Sequence, residues 1–226
     1  MELEVWIRTF QERVYLADRL KQACVAHLTP RTHILNTKKA SATYQEKFVL
    51  ALYFKLLNTK SAYILLLEDD IGFRKESLSV IQKAIAQNRT HLWLTVPNVE
   101  CLNSARKVTE DLYRLMKPLR LYYSGAVLVS RRILKEYVET YLLNYTSYPH
   151  KNFDTTFSTH LSTQFGFIDL APSYFGSLPN IESAADLCIS DTSRLHVDSS
   201  ALDPLFDPQT IVSELQSHEL DRKSVV

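Results

Sequence analysis

The sequence contains little glycine, little cysteine and no long apolar segment. Its 226 residues include 4 glycines, which cannot be assembled into the GxGxxG or GxxxxGK[ST] loops that cradle phosphates in nucleotide-binding folds. Its 3 cysteines, Cys24, Cys101 and Cys188, lie far apart and form no CxxC pair. We therefore expect neither a disulfide framework nor a structural zinc site.

Charge is balanced along the chain. The 26 Lys and Arg residues against 25 Asp and Glu leave a formal net charge of +1. General nucleic-acid binding requires a concentrated basic surface, so it is not expected here. The apolar run from Tyr63 to Leu67 is far shorter than the ~20 residues of a membrane-spanning helix. No basic-then-apolar leader precedes the strand-like N-terminus, and we predict no transmembrane segment.

Strand-like and helix-like segments alternate over most of the chain. Such alternation predicts an α/β fold with a mixed, mostly parallel sheet flanked by helices. The pattern predicts strands at 3–8, 32–35, 63–67 and 91–96, a further strand within 119–130, and helices at 11–27, 43–57, 76–87, 131–144 and 153–163. Residues 97–117 are predicted as a loop with a short helix. We assign residues 1–183 to one domain and the acidic segment 184–226 to a loosely packed or disordered extension.

Three consecutive carboxylates, Glu68, Asp69 and Asp70, follow the apolar run directly. Like charges at the edge of a sheet repel one another, and a divalent cation would remove that repulsion. Ligands bind at the carboxyl ends of strands in open α/β sheets, and Mg²⁺ and Mn²⁺ prefer carboxylate oxygens. The alternative is a solvated acidic turn without a ligand. A Walker B acid is excluded because no Walker A loop accompanies it.

The segment Tyr63-Ile-Leu-Leu-Leu-Glu-Asp-Asp-Ile71 and four others resemble, in order along the chain, the N-acetylglucosaminyltransferase IV family of GT-A glycosyltransferases. The most specific is Leu67-Glu-Asp-Asp-Ile71, which is similar to the family's "QLEDDI" signature. The agreement in order and rough spacing extends from about residue 40 to residue 183. The other segments are Tyr44-Gln-Glu-Lys47, Leu121-Tyr-Tyr-Ser-Gly-Ala126, Lys151-Asn-Phe-Asp154 and Ala171-Pro-Ser-Tyr-Phe175.

The resemblance implies a GT-A-type, nucleotide-sugar-binding fold and a metal-dependent transferase. Such an enzyme moves GlcNAc from UDP-GlcNAc to a glycan hydroxyl with inversion, using Mn²⁺ or Mg²⁺. It implies Asp70 as the direct metal ligand, Asp69 as a contact to metal or donor ribose, and Glu68 as a supporting donor-side group. Asp154 is the implied catalytic base. From the residues alone, Asp154 could equally be the N-cap of the helix that it begins.

Further binding residues are expected where predicted strands end and helices begin. A helix start favours phosphate or uracil oxygens, and small residues let a backbone approach a sugar closely. Arg13 could instead be a surface residue, and the small residues could mark a bulge. The candidates are Thr9, Arg13, Asn36, Gln45 and Lys47 for the donor, and Ser124 and Gly125 for the acceptor side.

One position departs from the family pattern. The family has a metal-binding histidine where this sequence has Ser177, so the metal would be held less tightly, or with help from water or a neighbour such as His196. The departure keeps open a non-catalytic relative that binds nucleotide sugar or glycan, and a transferase with another donor sugar and a non-N-glycan acceptor. The expected location is the cytoplasm for a complete chain and the Golgi lumen for a trimmed catalytic domain.

Overall fold

The computed structural model describes residues 2–9, 13–36, 44–74, 76–95, 101, 103–116, 121, 125–144, 152–172 and 174–177. The side chains of residues 44–46 and 177 lie outside this description. The predicted C-terminal extension, 184–226, also lies outside the described residues.

Ten strands and five helices are described within these ranges. The strands are β1 (Leu3–Thr9), β2 (Thr32–Asn36), β3 (Tyr63–Glu68), β4 (Ile71–Phe73), β5 (His91–Trp93), β6 (Arg106–Lys107), β7 (Tyr113–Leu115), β8 (Ala126–Ser130), β9 (Ile168–Leu170) and β10 (Phe175–Ser177). The helices are α1 (Val14–His27), α2 (Tyr44–Asn58), α3 (Ser77–Ala86), α4 (Arg131–Leu143) and α5 (Phe153–Phe165).

Eight strands form one sheet in the order β2-β1-β3-β8-β5-β9-β7-β6. Strands β1, β2, β3, β5, β9 and β6 share one direction, and β8 and β7 run the other way. The prediction of a mixed, mostly parallel sheet flanked by helices is confirmed. The remaining strands, β4 and β10, pair antiparallel in a separate two-stranded sheet.

Side chains from the two faces of the large sheet form two apolar cores. Leu3, Val5 and Ile7 of β1 face a core that includes apolar residues of α1 and α3. Trp6, between them, faces the second core with residues of α2, α4 and α5. This period of two is what a strand imposes, and it is why β1 is apolar on both faces.

Helix α5 is defined by caps at both ends. The side-chain oxygen of Asn152 accepts a hydrogen bond from the backbone N–H of Thr155 at 2.9 Å. At the other end Gly166 adopts a left-handed conformation with φ 74°, and its N–H donates to the carbonyl of Ser162. Both arrangements satisfy backbone groups that a helix end leaves free.

The interpretation of residues 97–117 was wrong in part. Two short strands, β6 and β7, lie in this region and extend the sheet. They have two and three residues, which is too short for an apolar period to be recognised. Within the described ranges, no helix combines the length and the apolar character needed to cross a bilayer.

Candidate functional site

Several of the predicted donor-side residues lie at one edge of the large sheet. Thr9 ends β1 and pairs in register with Asn36 at the end of β2, while Arg8 pairs with Glu68 at the end of β3. Because β8 is antiparallel to β3, its amino end reaches the same edge. There the N–H of Glu68 donates to the carbonyl of Gly125 at 2.8 Å.

The strand period separates the side chains at this edge onto two faces. Arg8 and Glu68 follow Trp6 and Leu66 on the face that packs against α2, α4 and α5. Arg8 forms an ion pair with Glu68, and its guanidinium lies 5.0 Å from the ring centre of Phe48 on α2. On this face of the sheet edge, the Arg8–Glu68 ion pair therefore joins the ends of β1 and β3.

The opposite face carries the two aspartates and the start of α1. Asp69 and Asp70 are 4% and 3% exposed. The hydroxyl of Thr9 donates to Asp69 Oδ2 at 2.6 Å. Arg13, directly before α1, places its Nη2 at 2.9 Å from Asp69 Oδ1 and 3.4 Å from Asp70 Oδ2. A single guanidinium thus faces two buried carboxylates.

Two polar atoms, one in Asp70 and one in Arg13, lack a well-aligned hydrogen-bond partner among the described residues. Asp70 Oδ1 is buried and has no hydrogen-bond partner among the described residues. Arg13 Nη2, although close to both aspartates, is aligned for a hydrogen bond with none of the acceptors that the structure describes. Buried polar atoms normally have partners, so the oxygen of Asp70 is available to a ligand such as a cation.

Burial and mutual repulsion perturb the carboxylates. Burial, with the charges of Asp154, Asp70 and Asp69, raises the pKa of Glu68 to about 8 despite the attraction of Arg8. Burial and the charge of Asp70 raise the pKa of Asp69 to about 7, against the attraction of Arg13 and the Thr9 hydrogen bond. Strongly perturbed carboxylates at strand ends are typical of functional sites.

Asp154 belongs to the same group of charges. It lies in the first turn of α5, is 7% exposed, and its negative charge acts on Glu68. The helix cap is Asn152, so the alternative role of Asp154 as N-cap is wrong. Its carboxylate is buried near the acidic edge while the helix start is already satisfied.

The structure describes the remaining predicted site residues only in part. The backbone of Ser177 in β10 pairs with Ile71, directly after the acidic run, so this position lies beside the aspartates. Lys47 is exposed on α2, and no contact with the acidic edge is described for it. Gln45 lies in α2 with its side chain outside the described part, and Ser124 lies outside the described residues.

Arg8 is a site residue that sequence reasoning missed. It is one of two charged residues in the alternating series Glu4, Trp6, Arg8, which lies on one face of β1. An arginine directed toward an apolar core requires a carboxylate partner. That partner, Glu68, is 60 residues away in sequence, which hides the pair until the strands are aligned.

The donor set at the edge fits a hard divalent cation. Oxygen ligands from Asp69 and Asp70 are of the type that Mg²⁺ and Mn²⁺ prefer, and Asp70 Oδ1 is buried without a partner in the described structure. No group of three or more His, Cys, Asp or Glu side chains suited to a metal occurs among the described residues. Among the described side chains, Asp69 and Asp70 would therefore hold the cation together with phosphate oxygens and water.

A cavity of about 540 Å³ lies between α4 and α5. Its lining combines aromatic rings with hydroxyl groups, and it includes Tyr137 and Tyr141 from α4. Thr155, the residue after Asp154, lies at its α5 side. Rings and hydroxyls together suit the apolar faces and hydroxyls of a sugar.

A second buried carboxylate occurs elsewhere in the sheet. Asp169 in β9 accepts hydrogen bonds from Arg114 Nε at 2.7 Å, from Arg114 Nη2 at 3.0 Å and from Arg89 Nη1 at 2.6 Å. Arg114 stands directly opposite Asp169 on β7 and stacks 3.9 Å from the ring centre of Phe167. We call these three charged residues the Asp169 cluster.

No protein-family model and no curated protein matches the sequence. Among solved structures, the chain is similar to A197 from STIV, with 13% identity, a TM-score of 0.47 and coverage of 78% of this chain and 85% of that chain. It is similar to mannose-1-phosphate geranyltransferase from Thermus thermophilus, with 11% identity, a TM-score of 0.46 and coverage of 77% and 76%. It is also similar to TarS 1-349 from S. aureus, with 13% identity, a TM-score of 0.44 and coverage of 77% and 60%. Such similarities assign no activity or substrate, and the resemblance to the N-acetylglucosaminyltransferase IV family stays a prediction.

Proposed function

We propose that this protein is a GT-A-type glycosyltransferase that moves a sugar from a UDP-sugar to a glycan hydroxyl with inversion. UDP-GlcNAc is the first donor to test, and Mn²⁺ or Mg²⁺ the proposed cofactor. The observation that carries the proposal is the charge imbalance at the sheet edge. Among the described residues, the three consecutive carboxylates Glu68, Asp69 and Asp70 pair with only two guanidinium groups, and Asp70 Oδ1 has no described partner. Such an excess of buried negative charge suits a cation and the diphosphate that the cation would carry.

The chain's own residues suit the steps of an inverting displacement. Asp154 would accept the proton of the acceptor hydroxyl while that oxygen bonds to the anomeric carbon and the carbon–oxygen bond to the diphosphate breaks. The electron pair of the broken bond leaves with UDP. Asp69 and Asp70 would hold the cation, which offsets the charge that grows on the leaving diphosphate.

Residues at and near the same edge of the large sheet would also position both substrates. Thr9 and Arg13 lie between the end of β1 and the start of α1, where oxygens of ribose or diphosphate would be favoured. The cavity between α4 and α5 is lined by Thr155, the residue after Asp154, and would offer a surface for the acceptor glycan. Donor and acceptor would therefore approach Asp154 from different elements, as an in-line displacement requires.

The decisive experiment is incubation with a panel of UDP-sugars and Mn²⁺, with detection of released UDP. Its companion is Asp70→Ala, which should abolish Mn²⁺-dependent UDP binding in calorimetry. We expect the free energy of unfolding to change by less than about 1 kcal/mol, since the substitution also removes an unsatisfied buried oxygen. Asp18→Ala, at an exposed position of α1, is the matched control and should bind as wild type.

Two results together would contradict the site assignment. One is equal UDP binding by the wild-type protein with and without metal. The other is wild-type binding by Asp70→Ala. Release of UDP from a different donor sugar would correct the donor and leave the site unchanged.

A non-catalytic nucleotide-sugar- or glycan-binding protein is the second candidate. The position beside the aspartates that pairs with Ile71 is Ser177, whereas the resembled family has a histidine there. A hydroxyl is a weaker ligand than imidazole for these metals. Metal-dependent UDP binding without turnover of any UDP-sugar would favour this candidate over the enzyme.

A further inference from the structure

Arg13 occupies the position from which a cation would contact both aspartates. Its Nη2 lies within 3.4 Å of oxygens of Asp69 and Asp70, and the side chain is 14% exposed. A guanidinium and a divalent ion are both attracted to these oxygens. Because the guanidinium and the divalent ion repel each other at such distances, the ion binds these oxygens more weakly while Arg13 is in place.

The contact of Arg13 is different from that of a structural arginine. In the Asp169 cluster, Nε and Nη2 of Arg114 both donate aligned hydrogen bonds to one carboxylate. Arg13 Nη2 is as close to Asp69 but is aligned with no described acceptor. Aligned, two-point contacts are the strong form of this pair, so the contact of Arg13 Nη2 with Asp69 is weaker than that of Arg114 with Asp169 and is easier to exchange.

We propose that Arg13 is an internal counter-ion that a divalent cation must displace from Asp69 and Asp70, and that the displaced guanidinium then binds the donor diphosphate. This inference rests on the proposed function. A metal alone gains two carboxylates but leaves Arg13 beside a second positive charge. A metal with a nucleoside diphosphate supplies both an ion for the aspartates and a new anionic partner for Arg13.

Two consequences follow from the exchange. Mn²⁺ alone should bind weakly to the wild-type protein, and removal of the Arg13 charge should strengthen that binding. At saturating Mn²⁺, removal of the same charge should weaken UDP binding, because the diphosphate loses a partner. These opposite effects on two ligands separate an exchanged counter-ion from a residue that merely supports the fold.

The test measures Mn²⁺ binding without nucleotide by electron paramagnetic resonance, for wild type, Arg13→Met and Arg13→Gln. Gln keeps a hydrogen-bond donor beside Asp69 and serves as the milder variant. Arg114→Met is the matched control, since it also removes a guanidinium from a buried aspartate while Arg89 remains on Asp169. UDP affinity at saturating Mn²⁺ is then measured by calorimetry for each protein.

We expect both Arg13 variants to bind Mn²⁺ roughly tenfold more tightly than wild type, as removal of a close like charge predicts. Their UDP affinity should fall by a similar factor, and Arg114→Met should change neither value. Unchanged or weaker Mn²⁺ binding by the variants overturns the inference. Failure of both variants to fold also overturns it, because Arg13 would then be a structural residue.

Failure of the inference is distinguishable from failure of the proposed function. If Mn²⁺ binding tightens but no form of the protein binds UDP, Arg13 is the counter-ion and the transferase proposal is wrong. If the wild type binds UDP with Mn²⁺ but the variants bind Mn²⁺ as wild type does, the transferase proposal stands and the role assigned to Arg13 is wrong.

Discussion

The sheet contains two groups of buried acids that are partnered in opposite ways. At the acidic edge, Glu68 pairs with Arg8 while Asp69 and Asp70 share Arg13, and Asp70 Oδ1 has no partner in the described structure. In the Asp169 cluster, one carboxylate receives three hydrogen bonds from two arginines. Both groups are buried, so burial alone does not distinguish a functional acid from a structural one.

The balance of charge does distinguish them. A buried carboxylate is stable only when partners replace the water that it loses. The Asp169 cluster finds those partners within the protein and has one positive charge in excess. At the acidic edge, the three consecutive carboxylates outnumber their two arginines among the described residues, and under the proposed function a cation from solution would complete them. We therefore expect substitutions in the Asp169 cluster to affect stability and those at the acidic edge to affect binding and turnover.

The largest expected effect is on turnover, for Asp154→Asn. Without a base the acceptor hydroxyl must attack while protonated, which typically costs ~10²–10⁴ in rate. Donor affinity should change little, because the base contacts the acceptor. The cap of α5 is Asn152, so the substitution leaves the helix start intact. Steady-state kinetics with calorimetry on the same protein check this, and turnover within a few-fold of wild type would rule out Asp154 as the base.

For Asp169→Ala we expect the opposite result, a loss of stability with unchanged turnover. Loss of the carboxylate leaves Arg89 and Arg114 without their shared partner. The expected loss of unfolding free energy is about 3 kcal/mol, at the lower end of the range for a buried pair because both arginines reach solvent. Urea unfolding measures this loss. Turnover per folded molecule should be unchanged, and a stable protein with lost turnover would reverse the assignments of the two groups.

Acidic pH should lower the folding stability of the protein, because His91, which packs beside Asp169, is buried in its neutral form. Burial lowers the pKa of His91 to about 4, although Asp169 attracts the protonated form. The unfolded chain, with an ordinary histidine pKa, binds this proton more tightly, so stability falls as pH decreases from about 6.5 towards 4. The loss should reach about 2 kcal/mol at pH 5. Unfolding of wild type and His91→Gln at pH 7 and pH 5 isolates this contribution, and equal pH dependence of the two proteins would contradict it.

The smallest expected effect concerns Ser177→His. The backbone of this position pairs with Ile71, next to the aspartates, and an imidazole there would add a metal ligand. We expect Mn²⁺ affinity in the presence of UDP to rise roughly tenfold, at the lower end of the effects of single changes around metal sites. Unchanged Mn²⁺ affinity would show that this position does not reach the cation.

The sequence predicted the acidic edge better than the Asp169 cluster, for physical reasons. The run from Tyr63 to Leu67 is apolar on both faces, so strand β3 and the carboxylates after it were evident. Asp169 lies in a strand of three residues, where no period is recognisable, and its arginine partners come from distant segments. Pairing partners across 55 to 80 residues are set by strand order, which local sequence does not encode.

The alternation along β3 constrains how this protein can change over evolutionary time. Glu68 and Asp69 are neighbours in the chain but serve opposite faces of the sheet, one with Arg8 and the other with Arg13. An insertion or deletion of a single residue in β3 would exchange the two faces and move each apolar side chain of the strand into the opposite core. Insertions and deletions should therefore be tolerated only in segments outside the sheet. We expect distant relatives to keep the same number of residues between the positions of Tyr63 and Asp70.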